Sequence, residues 1–144
     1  MARVSTYLNF PGKTEAAFQF YKSVFKTEYE DKIFRFRDMP EDKDHPIPPE
    51  EKDLIMHVSL PILGGHVLMG TDATESMGFH VTFGNNMYIN LEPDTKEETD
   101  RLFQALSEGG KVEMPLQDMF WGGYYGSCTD KFGTPWMFNC SSQK

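Results

Sequence analysis

Thr95-Lys96-Glu97-Glu98-Thr99-Asp100-Arg101-Leu102-Phe103-Gln104-Ala105-Leu106-Ser107-Glu108-Gly109-Gly110 is the stretch that decides the fold. Thr95 and Glu98 have the spacing of a capping box, in which the first side chain accepts a hydrogen bond from a free N–H of the opening helical turn. Leu102, Phe103 and Leu106 recur on one face at helical spacing, and Gly109-Gly110 supplies the stop. A helix over Thr95–Ser107 is therefore predicted. Strand-like runs flank it. Met87–Leu91 precedes it, and Val112, Met114 and Leu116 alternate with polar or proline positions after it. Gly123–Thr129 and Thr134–Cys140 are two more predicted strands, around the turn sequence Asp130-Lys131-Phe132-Gly133.

The N-terminal half has the same order. Arg3–Phe10 is a short apolar strand, and Pro11-Gly12 marks a loop. Thr14 is the expected N-cap of a helix ending at Phe25, with Ala17, Phe20, Tyr21, Val24 and Phe25 on its apolar stripe. In Lys32–Arg37, Phe34 and Phe36 alternate with Arg35 and Arg37, the period of a strand with one wet face. Leu54–Leu60 and His66–Thr71 enclose Pro61-Ile62-Leu63-Gly64-Gly65, a hairpin signal. The chain thus reads β-α-β-β-β twice, over about 3–72 and 86–141, an internal repeat expected to form a single domain. The joining loop, Asp72–Asn86, is rich in Gly, Thr and Asn, with a small excursion at Phe79-His80-Val81. Asp38–Asp53, with Pro40, Pro46, Pro48 and Pro49, reads as a mobile surface loop carrying a solvated His45.

Composition narrows the function. The 144 residues are 39% apolar and 14% aromatic, too rich in core-forming side chains for a disordered chain. Fourteen basic against 22 acidic residues give a net charge of -8. No basic cluster offers phosphate contacts, so neither nucleic acid nor an anionic membrane surface is an expected partner. No apolar run approaches the roughly 20 residues of a membrane span. Met1–Thr6 leads straight into a strand-like segment without a leader pattern, and Cys128 and Cys140 fit no CxxC or metal spacing. A reducing cytoplasm is the expected location.

The repeated layout resembles the vicinal oxygen chelate superfamily, which includes glyoxalase I, extradiol dioxygenases and bleomycin-resistance proteins. Local motifs are similar to its PhnB-like branch: Phe18-Gln19-Phe20-Tyr21-Lys22-Ser23-Val24-Phe25, Glu108–Gln117, Phe120-Trp121-Gly122 with Tyr125-Gly126, Thr129–Gly133, and Trp136-Met137. The resemblance runs from about Ser5 to Asn139. It implies an α+β fold of two βαβββ modules with curved mixed sheets around a cleft, and pairing into a homodimer. A ubiquinone-pathway methyltransferase label attached to the branch finds no support in the residues. Gly122-Gly123-Tyr124-Tyr125-Gly126 lacks the GxGxxG spacing and precedes a strand.

Superfamily enzymes hold one divalent metal with His and Glu side chains from four strands, and the metal stabilises an oxyanion of the substrate. Matching the motifs places Thr6, Met69, Met87 and Met137 at those positions, with Met137 standing where the family has Glu. Methionine is a soft, neutral donor, poorly suited to hard divalent ions. The resemblance therefore implies a lost metal site and no cofactor. Thr6, Leu8, Met69, Met87, Met137, Phe120, Trp121 and Tyr124 are the candidate ligand-binding residues, a greasy lining suited to a small organic molecule. No catalytic residue is assigned.

Register supplies further expectations. A two-residue turn at Leu63-Gly64 puts His57 opposite Gly70, on the other face from Met69, as a core or interface histidine. His66 lies next to that turn and His80 in a loop. Across the later turn, Cys128 pairs with Pro135 and shares the Met137 face, with no histidine nearby to activate it. Trp121 is expected at the mouth of the cleft and Trp136 against a helix. The reading is a cytoplasmic small-molecule-binding protein. Two alternatives stay open: a metal-dependent lyase, isomerase or dioxygenase, and a protein that sequesters an antibiotic or toxic small molecule.

Overall fold

The computed structural model describes residues 2–141. The chain forms two compact units, residues 1–81 and 82–144. In the first, β1 (Thr6–Phe10), α1 (Thr14–Phe25), β2 (Phe34–Arg35), β3 (Ile55–Pro61) and β4 (Val67–Asp72) build a four-stranded sheet ordered β1-β4-β3-β2. β1 runs parallel to β4 and the other pairs are antiparallel. In the second, β5 (Ile89–Leu91), α2 (Lys96–Ser107), β6 (Lys111–Asp118), β7 (Gly123–Thr129) and β8 (Pro135–Ser141) give the order β5-β8-β7-β6. The parallel pair is again first to last. The expected α+β fold of two βαβββ modules is what forms. Even burial repeats, because β3 and β7 have the same residue-by-residue pattern of buried and half-buried positions.

One face of each sheet carries the helix. A Cβ on Gly70 of β4 would lie 2.5 Å from Cε1 of Phe18 and 3.3 Å from Cγ2 of Thr14, so the absent side chain is what admits α1. Phe18 therefore joins the buried stripe and Phe20, expected there, is only half-buried. Opposite Phe138 of β8, α2 instead offers Phe103, edge to face at 5.1 Å between centroids. Trp136 is fully buried, and its indole N–H donates to Asp130 at 2.8 Å.

The helix starts differ. Thr14 is the first helical residue rather than the cap, and Lys13 before it makes no side-chain cap. The acceptor comes from β4. Asp72 takes hydrogen bonds from the Gly12 and Thr14 N–H groups, each 3.0 Å, from the Thr14 hydroxyl at 2.8 Å and from the Ile55 N–H at 2.8 Å. For α2 the local device forms as read: Thr95 Oγ1 accepts from the Glu98 N–H at 3.1 Å. The Glu98 carboxylate pairs with Arg101.

Four strands depart from expectation, and the first, β1, starts at Thr6 instead of Arg3. β2 is two residues long, because the chain enters a 3-10 turn at Phe36–Asp38 while Arg35 reaches back to Glu15 of α1 at 3.0 and 2.7 Å. β5 begins at Ile89, leaving Met87 outside it. β6 is an exposed edge whose register slips near Pro115, as fits a proline-bearing edge strand.

Both hairpin registers fall one residue from expectation. Ser59 pairs with Met69 and Val58 with Gly70, because the loop is three residues, Leu63–Gly65. Cys128 pairs with Trp136 and Thr129 with Pro135, across Lys131-Phe132-Gly133. Gly65 (φ 81°) and Gly133 (φ 97°) close these loops in the left-handed region that three-residue hairpin loops reserve for glycine. A slip of one residue exchanges the faces of a strand, so two assignments reverse. His57 lies on the Met69 face, and Cys128 on the α2 face.

Candidate functional site

The helix-free face of each sheet can be built directly from register. In the first unit, Tyr7 pairs with Met69 and Asn9 with Thr71, while Ser59 stands opposite Met69 with His57 two residues before it. Tyr7 Oη lies 3.0 Å from His57 Nδ1, and His57 Nε2 lies 3.1 Å from Ser59 Oγ. Both hydroxyls donate and accept, so the imidazole is satisfied in either neutral tautomer. Burial pushes the Tyr7 phenol above its ordinary range. The Ser5 hydroxyl contacts Met69 Sδ at 3.8 Å. The result is a phenol–imidazole–hydroxyl row beside one thioether.

Thr6 and Leu8, expected with Met69, sit on the opposite face. Their partners are Leu68 and Gly70, and Gly70 is the residue under Phe18. Thr6 Oγ1 is held by His66 Nε2 at 2.9 Å. The neighbours Tyr7 and Asn9 face the way that Met69 does.

In the second unit, Ser127 pairs with Met137, Tyr125 with Asn139, and Asn90 with Met137. The Ser–Met pair of the first sheet thus recurs. Gly123 is on this face too, and a Cβ there would overlap the Trp121 ring at 1.8 Å. Glycine lets the indole lie over the strand, edge to face with Tyr125 at 6.4 Å between centroids. Trp121 and Met137 therefore share a face. The Asn139 Oδ1 is buried and, among the described residues, accepts no hydrogen bond. At the edge, the Glu113 carboxylate accepts from the Tyr88 and Thr129 hydroxyls, each 2.7 Å away, and these donors hold its pKa below the usual carboxylate range.

The other candidates lie elsewhere. Tyr124 is on the α2 face, its hydroxyl donating to Asp100 at 2.5 Å and its ring under Lys96 Nζ. That hydrogen bond raises the phenol pKa to about 12. Met87 is 77% and Phe120 97% exposed, and neither lies in a strand. Cys128 is fully buried, and burial pushes its thiol up to about 12, the reverse of an activated nucleophile. Of the eight candidates, Met69 stays on the helix-free face of its sheet, and Met137 and Trp121 share that of theirs. Tyr7, Asn9, His57, Ser59, Tyr125, Ser127 and Asn139 join them unforeseen. The third-position glycines of the two loops are the signal for those on the hairpin strands, whereas nothing in the sequence marks Tyr7 and Asn9 on β1.

The superfamily's metal does not fit these donors. Each helix-free face presents mainly thioethers, hydroxyls and amides, with His57 in the first unit and, at the edges of the second, the carboxylates of Glu113 and of Glu92, which accepts from Asn90. Among the described residues no group of three His, Cys, Asp or Glu side chains converges.

Comparison with known proteins gives the fold and then the family. Solved structures of the glyoxalase/bleomycin resistance/dioxygenase class share the fold. The one from Frankia sp. EAN1pec superimposes with a TM-score of 0.64 at 11% identity, covering 99% of this chain and 94% of that one. Residues 2–138 match the family model described as 3-demethylubiquinone-9 3-methyltransferase, and the chain belongs to that family, the PhnB-like branch. Protein YjdN of Escherichia coli (strain K12) is 31% identical, over 98% of this chain and 97% of its own. PA1353 from Pseudomonas aeruginosa is 35% identical with a TM-score of 0.84, over 99% of this chain and all of that one. A PhnB protein from Bacillus cereus is 28% identical with a TM-score of 0.76, over 97% of this chain and 100% of its own.

Proposed function

We propose that this PhnB-like protein binds a flat, apolar organic molecule bearing one hydrogen-bond donor, on the helix-free face of its second sheet, without a resident metal. The observation that carries the reading is the buried Asn139 Oδ1, which accepts no hydrogen bond among the described residues and stands two positions from Met137. A buried acceptor is costly unless a donor meets it, at about 1–3 kcal/mol. Trp121 and Tyr125 supply an aromatic wall and Met137 an adaptable one. Binding without turnover is the chemistry of sequestration. A homodimer in the cytoplasm is part of the proposal, and light scattering of the purified chain checks the pairing.

Methyl transfer, the act in the family's description, has no such support. Gly122-Gly123-Tyr124-Tyr125-Gly126 opens the antiparallel strand β7 instead of joining a parallel strand to a helix, so it forms no dinucleotide-type cradle.

Tryptophan fluorescence tests the reading with 1-naphthol and naphthalene as probes. 1-Naphthol is expected to quench Trp121 and bind tighter than naphthalene, while the buried Trp136 is unaffected, as Trp121→Phe and Trp136→Phe variants separate. Asn139→Leu should abolish the preference for the hydroxyl. Equal quenching of both indoles, or an unchanged preference in Asn139→Leu, overturns it. Metal is tested apart: EDTA, Zn and Ni should leave the melting temperature unmoved. A rise of several degrees with one metal would restore the enzyme alternative.

A further inference from the structure

The segment between β2 and β3 borders a half-open pocket of about 490 Å³, apart from the proposed face. Its neck is closed by backbone hydrogen bonds: the Phe36 N–H donates to the Leu54 carbonyl at 3.1 Å, and the Arg37 N–H to that of Lys52 at 2.9 Å. Prolines 40, 46, 48 and 49 restrict the span between. Glu51 ties its end to the Thr74 and Ser76 hydroxyls at 3.1 and 2.6 Å. A segment that reads as a plain surface loop is thus a tethered ring bordering a space of ligand size, where pockets run to roughly 300–1,000 Å³.

The lining has two halves. Phe36, Met39 and Ile47, with two of the prolines, are apolar. Arg37, Lys43 and Lys52 are cationic, with Glu41, Asp42 and His45 also at the wall. Three of these six, Arg37, Asp42 and His45, are already matched. Arg37 Nε donates to Asp53 at 2.7 Å, and Asp42 takes His45 Nδ1 and the Asp44 N–H, each at 3.0 Å. Among the described residues, Lys43 and Lys52 have no ion-pair partner. Two unmatched cations against one unmatched carboxylate, Glu41, leave a net positive charge beside the apolar wall in a chain of net charge -8.

We propose that this pocket is a second binding site, for an amphipathic monocarboxylate: an anionic head between Lys43 and Lys52, and an aryl or alkyl body against Phe36, Met39 and Ile47. 4-Phenylbutyrate is the probe, with 4-phenylbutanol and 4-phenylbutylamine as controls, and binding is followed by amide chemical shifts of the whole chain. The carboxylate is expected to bind at least tenfold tighter than either control, with shifts confined to residues 36–54. Lys43→Gln with Lys52→Gln, both on exposed side chains, should remove that advantage and leave the fold and 1-naphthol binding unchanged. Ile47→Asp should weaken all three probes. Equal affinities for acid and alcohol, an unaffected double variant, or shifts centred on Trp121 and Asn139 would each overturn the proposal. Because 1-naphthol and 4-phenylbutyrate report on separate residues, failure here is distinguishable from failure of the first site.

Discussion

The two modules share a topology and a burial pattern, yet they start their helices in opposite ways. α2 is capped by its own neighbour, Thr95, three residues from the N–H it satisfies. α1 is capped from 58 residues away, by a buried carboxylate at the end of β4 that also holds β3 through the Ile55 N–H. The first device is local and acts as soon as the turn forms. The second needs β4 in place before it exists, and it then couples helix, loop and two strands into one unit. The same contrast appears in packing. β4 offers Gly70 to receive Phe18, while β8 offers Phe138 to meet Phe103. One interface is large on the helix and absent on the strand, and the other is large on both.

The largest expected effect breaks the long-range cap. Asp72→Ala strands at least two buried backbone donors at about 1–3 kcal/mol each, so a loss of about 3–5 kcal/mol is expected in urea denaturation. Thr95→Ala should cost only about 1 kcal/mol by the same measurement. Equal losses would mean that Asp72 does no more for α1 than a local cap does for α2.

Gly70→Ala comes next. Its Cβ would stand 2.5 Å from the Phe18 ring, so overpacking should cost about 1–3 kcal/mol, and Phe18→Leu in the same chain should recover part of it. A neutral Gly70→Ala would show that α1 shifts as freely as a surface helix.

The smallest effect sharpens the comparison in the second module alone. Burial, with Asp130 and Glu113 adding to it, raises the Cys128 thiol from 9.0 to about 12. A raised acid is stabilising while the unfolded thiol stays protonated. The contribution is therefore present in full below about pH 9 and is lost as pH climbs towards 12. Cys128→Ala should flatten that part of the alkaline stability curve. The native thiol should also resist Ellman's reagent at pH 8. Rapid labelling in the folded protein would place Cys128 on the open face after all.

Much of the fold was legible. Helix α2 shows its cap, stripe and stop in a single run, and both hairpins announce themselves with glycine-bearing turns. The repeat follows from order alone. The faces of the candidate residues were half legible. Met69, Met137 and Trp121, chosen by likeness to a family pattern, lie on the helix-free faces, whereas Thr6, Leu8 and Tyr124 lie on the helix faces and His57 and Cys128 on the faces opposite to those expected. Each reversal is a matter of one residue. Strand periodicity has two phases, and nothing in an apolar run such as Thr6–Phe10 says which phase meets the helix.

By itself, then, the sequence determined the elements, their order and the family, because caps, periods and turn glycines act over a few residues. Tertiary structure decided the faces. The closing glycines Gly65 and Gly133 set three-residue loops, Gly70 admitted Phe18, and Asp72 reached across the unit to α1. Those choices depend on groups far apart in the chain, whose energies exist only once the strands have met.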